Sequence, residues 1–231
     1  MKTWFISITV SIVFSVIGFG AISKPGQYDT GSAPRVPGKA LVQIVRTWER
    51  QSGSARVRVE EMSLGTVIGP HRILTHNHFT GGVGTQSNET LSIVDQTGRV
   101  IPQPVATVKA VVLDKGTLLL DVPATLTPTA AVVADPTVLA QLTPDTWLTV
   151  NFWDDANNRF ATKSFQILQR KGGSVMLADP EHVINSGDSG GSVYFEGRLI
   201  GNTWSINTDV QGNALGSLNV ALVPAQVAAV Q

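Results

Sequence analysis

Cysteine is absent from the 231 residues. That excludes a disulfide scaffold, Cys-ligated zinc, iron–sulfur clusters and thiol catalysis, and leaves packing to hold the fold. Charge is scarce as well. Asp, Glu, Lys and Arg make up 15% of the chain, against roughly 25% in an average soluble domain, and part of the shortfall is a charge-free N-terminal run. Neither sign is in excess, with 17 basic and 17 acidic residues, so no overall field points to nucleic acid or to an anionic membrane. What is present is a 42% hydrophobic content, enough for a packed core and too much for a disordered chain. The 22 glycines and 12 prolines supply many turns without a collagen period. The length suits one or two domains, and no internal repeat recurs at a fixed period.

The charge-free run extends from Trp4 to Ile22, after Lys2 and before Lys24-Pro25-Gly26. A positive start, an apolar stretch and small residues at its end (Ala21-Ile22-Ser23) have the layout of a secretory signal peptide over residues 1–23. The run is also long enough to span a bilayer, so an uncleaved membrane anchor is the alternative. Either reading puts the rest of the chain outside the cytoplasm, secreted or tethered, with the membrane touched only by the N-terminal segment. Residues 24–39 carry three prolines and three glycines and read as an irregular lead-in.

From Ala40 the texture changes to short runs rich in Val, Ile, Leu and Thr, spaced by turn residues. Examples are Leu41–Trp48, Arg56–Glu61, Arg72–Thr75, Leu91–Val94 and Thr117–Val122. After a Pro/Ala/Thr-rich stretch the same texture resumes in Trp147–Trp153, Phe160–Gln169, Ser174–Ala178, Leu199–Trp204 and Leu218–Leu222. Arg56-Val57-Arg58-Val59-Glu60 alternates as a strand with one wet face does. Helical periodicity is missing except at the C-terminus, where Pro224 opens a predicted short helix. Closely spaced strands in two groups predict an all-β protein of two barrels or sandwiches: residues 40–122, a linker over 123–145, and residues 146–231.

The sharpest chemical signal is Gly187-Asp188-Ser189-Gly190-Gly191. Glycines around a serine let successive backbone N–H groups converge on one point and expose the hydroxyl, as an acyl-transfer site requires. The same string also fits a Gly-rich turn. A second signal favours chemistry: Ile73-Leu74-Thr75-His76-Asn77-His78-Phe79 puts histidines at the end of an apolar run. A serine hydroxyl becomes a useful nucleophile only when a neighbouring base takes its proton, and imidazole suits that task near neutral pH.

These residues resemble the chymotrypsin-like (trypsin-like) serine peptidase family, in its disulfide-free bacterial form, over roughly residues 40–223. Gly187–Gly191 resembles the nucleophile loop and Leu74-Thr75-x-x-His78 the histidine loop. The resemblance implies two six-stranded antiparallel β-barrels with the active site in the cleft between them. It implies Ser189 as nucleophile, His78 as general base and an intervening aspartate that orients the histidine. Asp114 is the first choice for that acid, with Gly116 and an aliphatic strand after it, although Lys115 and Thr117 depart from the family's apolar residues; Asp121 is the alternative. The oxyanion hole would use the N–H groups of Gly187 and Ser189. Thr203, Trp204 and Ser205 resemble the strand that pairs with substrate and walls the specificity pocket. Val183 stands where members that cleave after basic residues carry Asp, which predicts an apolar or small residue at the cleaved position. The implied protein is a monomeric endopeptidase acting on polypeptides, with no cofactor, no metal and no nucleic-acid partner.

Two other readings compete on the same residues. A barrel with a broken triad would be a non-catalytic module that holds an extended peptide as an added strand, and the irregular Asp114 region favours it. An enzyme acting on non-peptide esters would share the chemistry. Quality-control proteases with an appended C-terminal peptide-binding domain match poorly, given how little chain follows Ser189. His71, His76 and His78 form a close group, but no further ligands at a recognised spacing accompany them, so no metal site is expected. Cleavage before Val36 would create a new N-terminus able to pair with Asp188, but Pro37 is wrong for that role and a Pro-rich linker is the simpler reading.

Overall fold

A computed structural model describes residues 38–77, 86–114, 116–223 and Val227. The leader, most of the lead-in, His78 and all but one residue of the predicted C-terminal helix lie outside the described residues. Val227 itself is helical and buried.

Among the described residues, thirteen strands form two antiparallel sheets. The first contains β1 (Leu41–Ser52), β2 (Ala55–Gly69), β3 (Arg72–Thr75), β4 (Ser87–Val94), β5 (Val100–Gln103), β6 (Lys109–Val112) and β7 (Leu118–Asp121). The second contains β8 (Trp147–Asp154), β9 (Arg159–Lys171), β10 (Ser174–Ala178), β11 (Ser192–Phe195), β12 (Arg198–Thr208) and β13 (Ala214–Leu222). The second sheet closes as a six-stranded barrel in the order β10-β13-β12-β11-β8-β9. The first has seven strands rather than six, in the order β5-β4-β1-β2-β3-β7-β6. Its end strands do not pair among the described residues, so it is a half-barrel. The extra strand, β5, was not legible because Pro102 sits in its middle. An edge strand tolerates that proline, since its missing N–H would otherwise face solvent.

Period-two burial builds each core. In the closed barrel, Leu148 and Val150 of β8, Phe165 and Ile167 of β9, Val175 and Leu177 of β10 and Leu218 and Val220 of β13 meet inside. In the half-barrel, Val42, Ile44, Ile73, Leu91, Ile93 and Leu118 do the same. A third cluster joins the two sheets, with Ile68 of β2 and Leu74 of β3 packed in one group with Tyr194 of β11 and Leu199 of β12.

Two runs separate in the sequence, Arg56–Glu61 and Thr66–Ile68, merge into the single strand β2, which pairs with β1 from Ala55 to Thr66. Its outer half alternates in exposure, whereas Ser63–Ile68 is buried on both faces. That double burial arises because the inner half of β2 lies against the second barrel. The segment expected only as a crossover also stitches the halves together. The Ala131 N–H donates to Val67 O, and Leu199 exchanges hydrogen bonds with Val132 and Ala134. It also contains a short helix, α1 (Pro136–Ala140), capped by the Asp135 carboxylate accepting from the N–H groups of Thr137 and Val138, which answers two of the orphan donors at a helix start.

Candidate active site

Ser189 sits in a turn between β10 and β11 that the sequence makes possible at two glycines. Gly187 and Gly190 adopt φ of 104° and 90°, which side chains with a Cβ resist. Gly190 is also a point of close approach: a Cβ there would overlap the Leu64 carbonyl oxygen and come within 2.5 Å of Thr75 Oγ1. The turn is held from three sides. From the half-barrel, the Leu64 N–H and Ser63 Oγ both donate to Ser189 O, at 2.9 and 3.0 Å. From β12, Thr203 O accepts from the Gly190 N–H and the Thr203 N–H donates to Gly191 O, each at 2.8 Å. From within, the Asp188 carboxylate, 2% exposed, accepts the Trp153 N–H at 2.7 Å on one oxygen and the Asn185 N–H at 2.8 Å on the other.

Ser189 Oγ lies 3.3 Å from Trp204 O, to which it donates. None of the hydrogen bonds among the described residues uses the backbone N–H of Gly187 or Ser189. The turn thus holds a hydroxyl beside two uncommitted donors. Burial pushes the Asp188 carboxyl up to about 7, against the pull of its two N–H partners and with a further push from the charges of Asp155 and Asp179.

A cavity of about 200 Å³ opens beside Ser189. Ile184–Ser186 wall one side and Thr203–Ile206 the other, so Thr203, Trp204 and Ser205 all line this cavity. Among the described residues its lining carries no charged side chain. Val183 is not in that lining; it packs against the barrel core, and its N–H donates to Asp179. Its neighbour Ile184 lines the cavity instead. The buried Asp179 carboxylate accepts from both Val183 and Ile184 N–H groups at 3.0 Å, and this bend turns Ile184 rather than Val183 toward the opening. Asp179 and Ile206 were missed in the sequence because their contacts cross from loop to loop and strand to loop.

Asp114 lies in the tight turn between β6 and β7. Its Oδ1 accepts the Gly116 N–H at 2.8 Å. That turn abuts β12 and β13: a Cβ on Gly116 would fall 2.5 Å from Ala221 Cβ and 3.2 Å from the Trp204 ring. Buried Asn202 fastens it, donating to Gly116 O at 3.0 Å and accepting from Thr117 Oγ1 at 3.2 Å. Asp121 occupies the far end of β7, roughly 10 Å along the strand from Leu118, and is engaged by Arg72 Nε at 3.3 Å. The β3–β7 register pairs Thr75 with Leu118, so β3 delivers the chain to the Asp114–Thr117 turn. His76, the next residue, is buried. His71 Nδ1 lies 3.2 Å from Val122 O, at the other end of β3. Among the described residues, no three His, Asp or Glu side chains converge as a metal would require.

No known protein family and no curated protein matches the chain in sequence. Solved structures do match in fold. The chain is similar to the HtrA-type protease AlgW, in a variant bound to a decapeptide, with a TM-score of 0.61 and 15% identity over 84% of this chain and 62% of that one. It is similar to an inactivated protease paralogue of the scabies mite, with a TM-score of 0.62 and 12% identity over 85% and 94% of the two chains. A Ser-to-Ala mutant of Rv3671c from M. tuberculosis, in an inactive form, gives 0.54 and 18% over 81% and 82%. The chain spans under two thirds of AlgW. The fold is that of the chymotrypsin-like serine peptidases.

Proposed function

We propose that this protein is a serine endopeptidase that forms an acyl-enzyme on Ser189. The observation that carries this reading is the Ser189 turn: a half-buried hydroxyl, two N–H groups at Gly187 and Ser189 uncommitted among the described residues, and a cavity alongside whose described lining carries no charge. In the proposed reaction, His78 takes the Ser189 hydroxyl proton as Oγ attacks the scissile carbonyl carbon. The oxyanion is received by the Gly187 and Ser189 N–H groups. His78 then returns the proton to the departing amine as the C–N bond breaks, and water repeats the sequence to free the acid. Asp114 is the acid assigned to orient His78, supported by its turn lying beside Trp204 and by the engagement of Asp121 with Arg72. The uncharged cavity favours an apolar or small side chain at the cleaved position. The leader supports an extracytoplasmic location, secreted or anchored by residues 1–23.

A second reading, a peptide-holding module without catalysis, is favoured by one feature: the Asp114 carboxylate accepts from its own loop at Gly116. Labelling of the full chain by a fluorophosphonate probe separates the two. Labelling lost in Ser189→Ala and His78→Ala supports the enzyme. A folded wild-type protein that does not label refutes it.

A further inference from the structure

The nucleophile turn is flanked by a second, smaller hollow of about 40 Å³. Ser186 borders both hollows, but this one is reached past Gly187 and Asp188 rather than past Ser189 and β12. Its walls are Met62 and Leu64 from β2 and Trp153 from the end of β8, and Asp155 stands at its rim. If the cavity at Ser189 receives the acyl side of a scissile bond, this hollow lies on the side from which the amine departs. The inference therefore rests on the peptidase reading and adds what the leaving segment must look like.

Met62 is about half exposed, at 49%, and Trp153 holds its indole edge-on to Phe160 at 5.0 Å, so both offer apolar surface from fixed positions. Among the described residues, the charged side chains in the lining are Asp155 and Asp188, both acidic. Asp188 is buried and already shared between two backbone N–H groups. Asp155 is exposed on the β8–β9 hairpin and engages no hydrogen bond or ion pair among the described residues. The nearby cations are committed elsewhere, Arg159 with Asp154 and Lys163 with Glu181. A hollow little larger than one water's share of liquid volume, roughly 30 Å³, cannot enclose a long side chain. It can seat the methylene stem of one, with a cationic head outside at the carboxylate.

We infer that this hollow is a subsite for a Lys or Arg side chain in the first two residues after the cleaved bond, its stem against Met62 and Trp153 and its charge on Asp155. A cation there relieves the mutual repulsion of two carboxylates. A guanidinium can also lie over the Trp153 ring.

The test is cleavage by the full chain of an internally quenched peptide library, randomised at the two positions after the scissile bond. It is run on the wild type, Asp155→Asn and Asp155→Lys. An exposed ion pair together with a cation–π contact corresponds to a preference of about three- to tenfold in kcat/KM for Lys or Arg over Glu, shrinking as salt is raised. Asp155→Asn should bring the ratio to within about twofold of unity, and Asp155→Lys should reverse it toward Glu. No basic preference in the wild type, or one that survives both substitutions, overturns the subsite. Turnover of an ester with a small non-peptide leaving group by the wild type, with fluorophosphonate labelling, shows which reading has failed. If both are absent, the peptidase reading falls and the subsite with it; if both are present, only the subsite falls.

Discussion

Replacing Asp188 with Asn removes a buried carboxylate whose proton is coupled to folding, and the effect can be worked through from its surroundings. In the folded protein the group is pushed from its ordinary 3.8 up to about 7, chiefly by burial. Between those two values the folded protein holds a proton that the unfolded chain has released. Stability therefore falls as pH rises through the window, by up to about 1.4 kcal/mol per pH unit for one proton. The favourable contribution is complete below about pH 4 and gone above about pH 7, and it amounts to about 4 kcal/mol at most. Asn does not titrate. It keeps one carbonyl for one of the two N–H groups of Trp153 and Asn185, and turns an NH₂ toward the other, at a pH-independent cost of about 1–3 kcal/mol. Urea unfolding of both proteins at pH 4, 5, 6, 7 and 8 gives the stability of the wild type minus that of the variant, in which titrating groups not coupled to Asp188 cancel. That signed difference should fall by about 3–4 kcal/mol from pH 4 to pH 8, bringing the variant level with the wild type or above it. A difference constant within 1 kcal/mol across the range would refute the assignment of the raised carboxyl to Asp188.

Further outcomes follow from other sites. Arg46 is buried between Glu89 at 2.7 Å and Glu61 at 3.7 Å and lies over the Trp48 ring at 4.8 Å. Arg46→Ala should cost about 3–5 kcal/mol in denaturant unfolding, because it removes the guanidinium paired with the buried Glu89 carboxylate. It should also raise the Glu61 carboxyl further, since Arg46 is the influence that now lowers it. Gly190→Ala must displace the Leu64 carbonyl from the turn. Loss of fluorophosphonate labelling with a lowered melting temperature is expected, and an alanine variant that labels at the wild-type rate would contradict the close approach. Asp114→Asn should slow labelling far more than Asp121→Asn, with the reverse order moving the acid to the other end of β7. Asp135→Ala should lower the melting temperature as a lost helix cap, with activity unchanged.

The sequence by itself determined the fold class and the glycine-framed turn that carries Ser189. Short β-branched runs between turn residues specify strands whatever their partners, and a Gly-x-Ser-Gly-Gly string specifies a turn with convergent N–H groups because only glycine tolerates its backbone angles. Sequence spacing likewise told where β3, β10 and the Thr203–Ser205 strand would fall, since those runs carry their own period-two pattern. Three things were decided only by tertiary structure. The merger of two runs into β2 depends on β1 pairing across Met62–Gly65, a stretch of weak strand formers. The seventh strand, β5, depends on an edge position that excuses its proline. The identity of the cavity wall, Ile184 instead of Val183, depends on Asp179 bending the loop through two backbone N–H groups, and counting back from Ser189 cannot see that bend. The same holds for the acidic residues: Asp114, Asp121, Asp179 and Asp188 are one letter in the chain. Their different circumstances, in a turn beside Trp204, on Arg72, under a loop and buried behind Ser189, arise from which backbone donors and charges the two sheets bring to each.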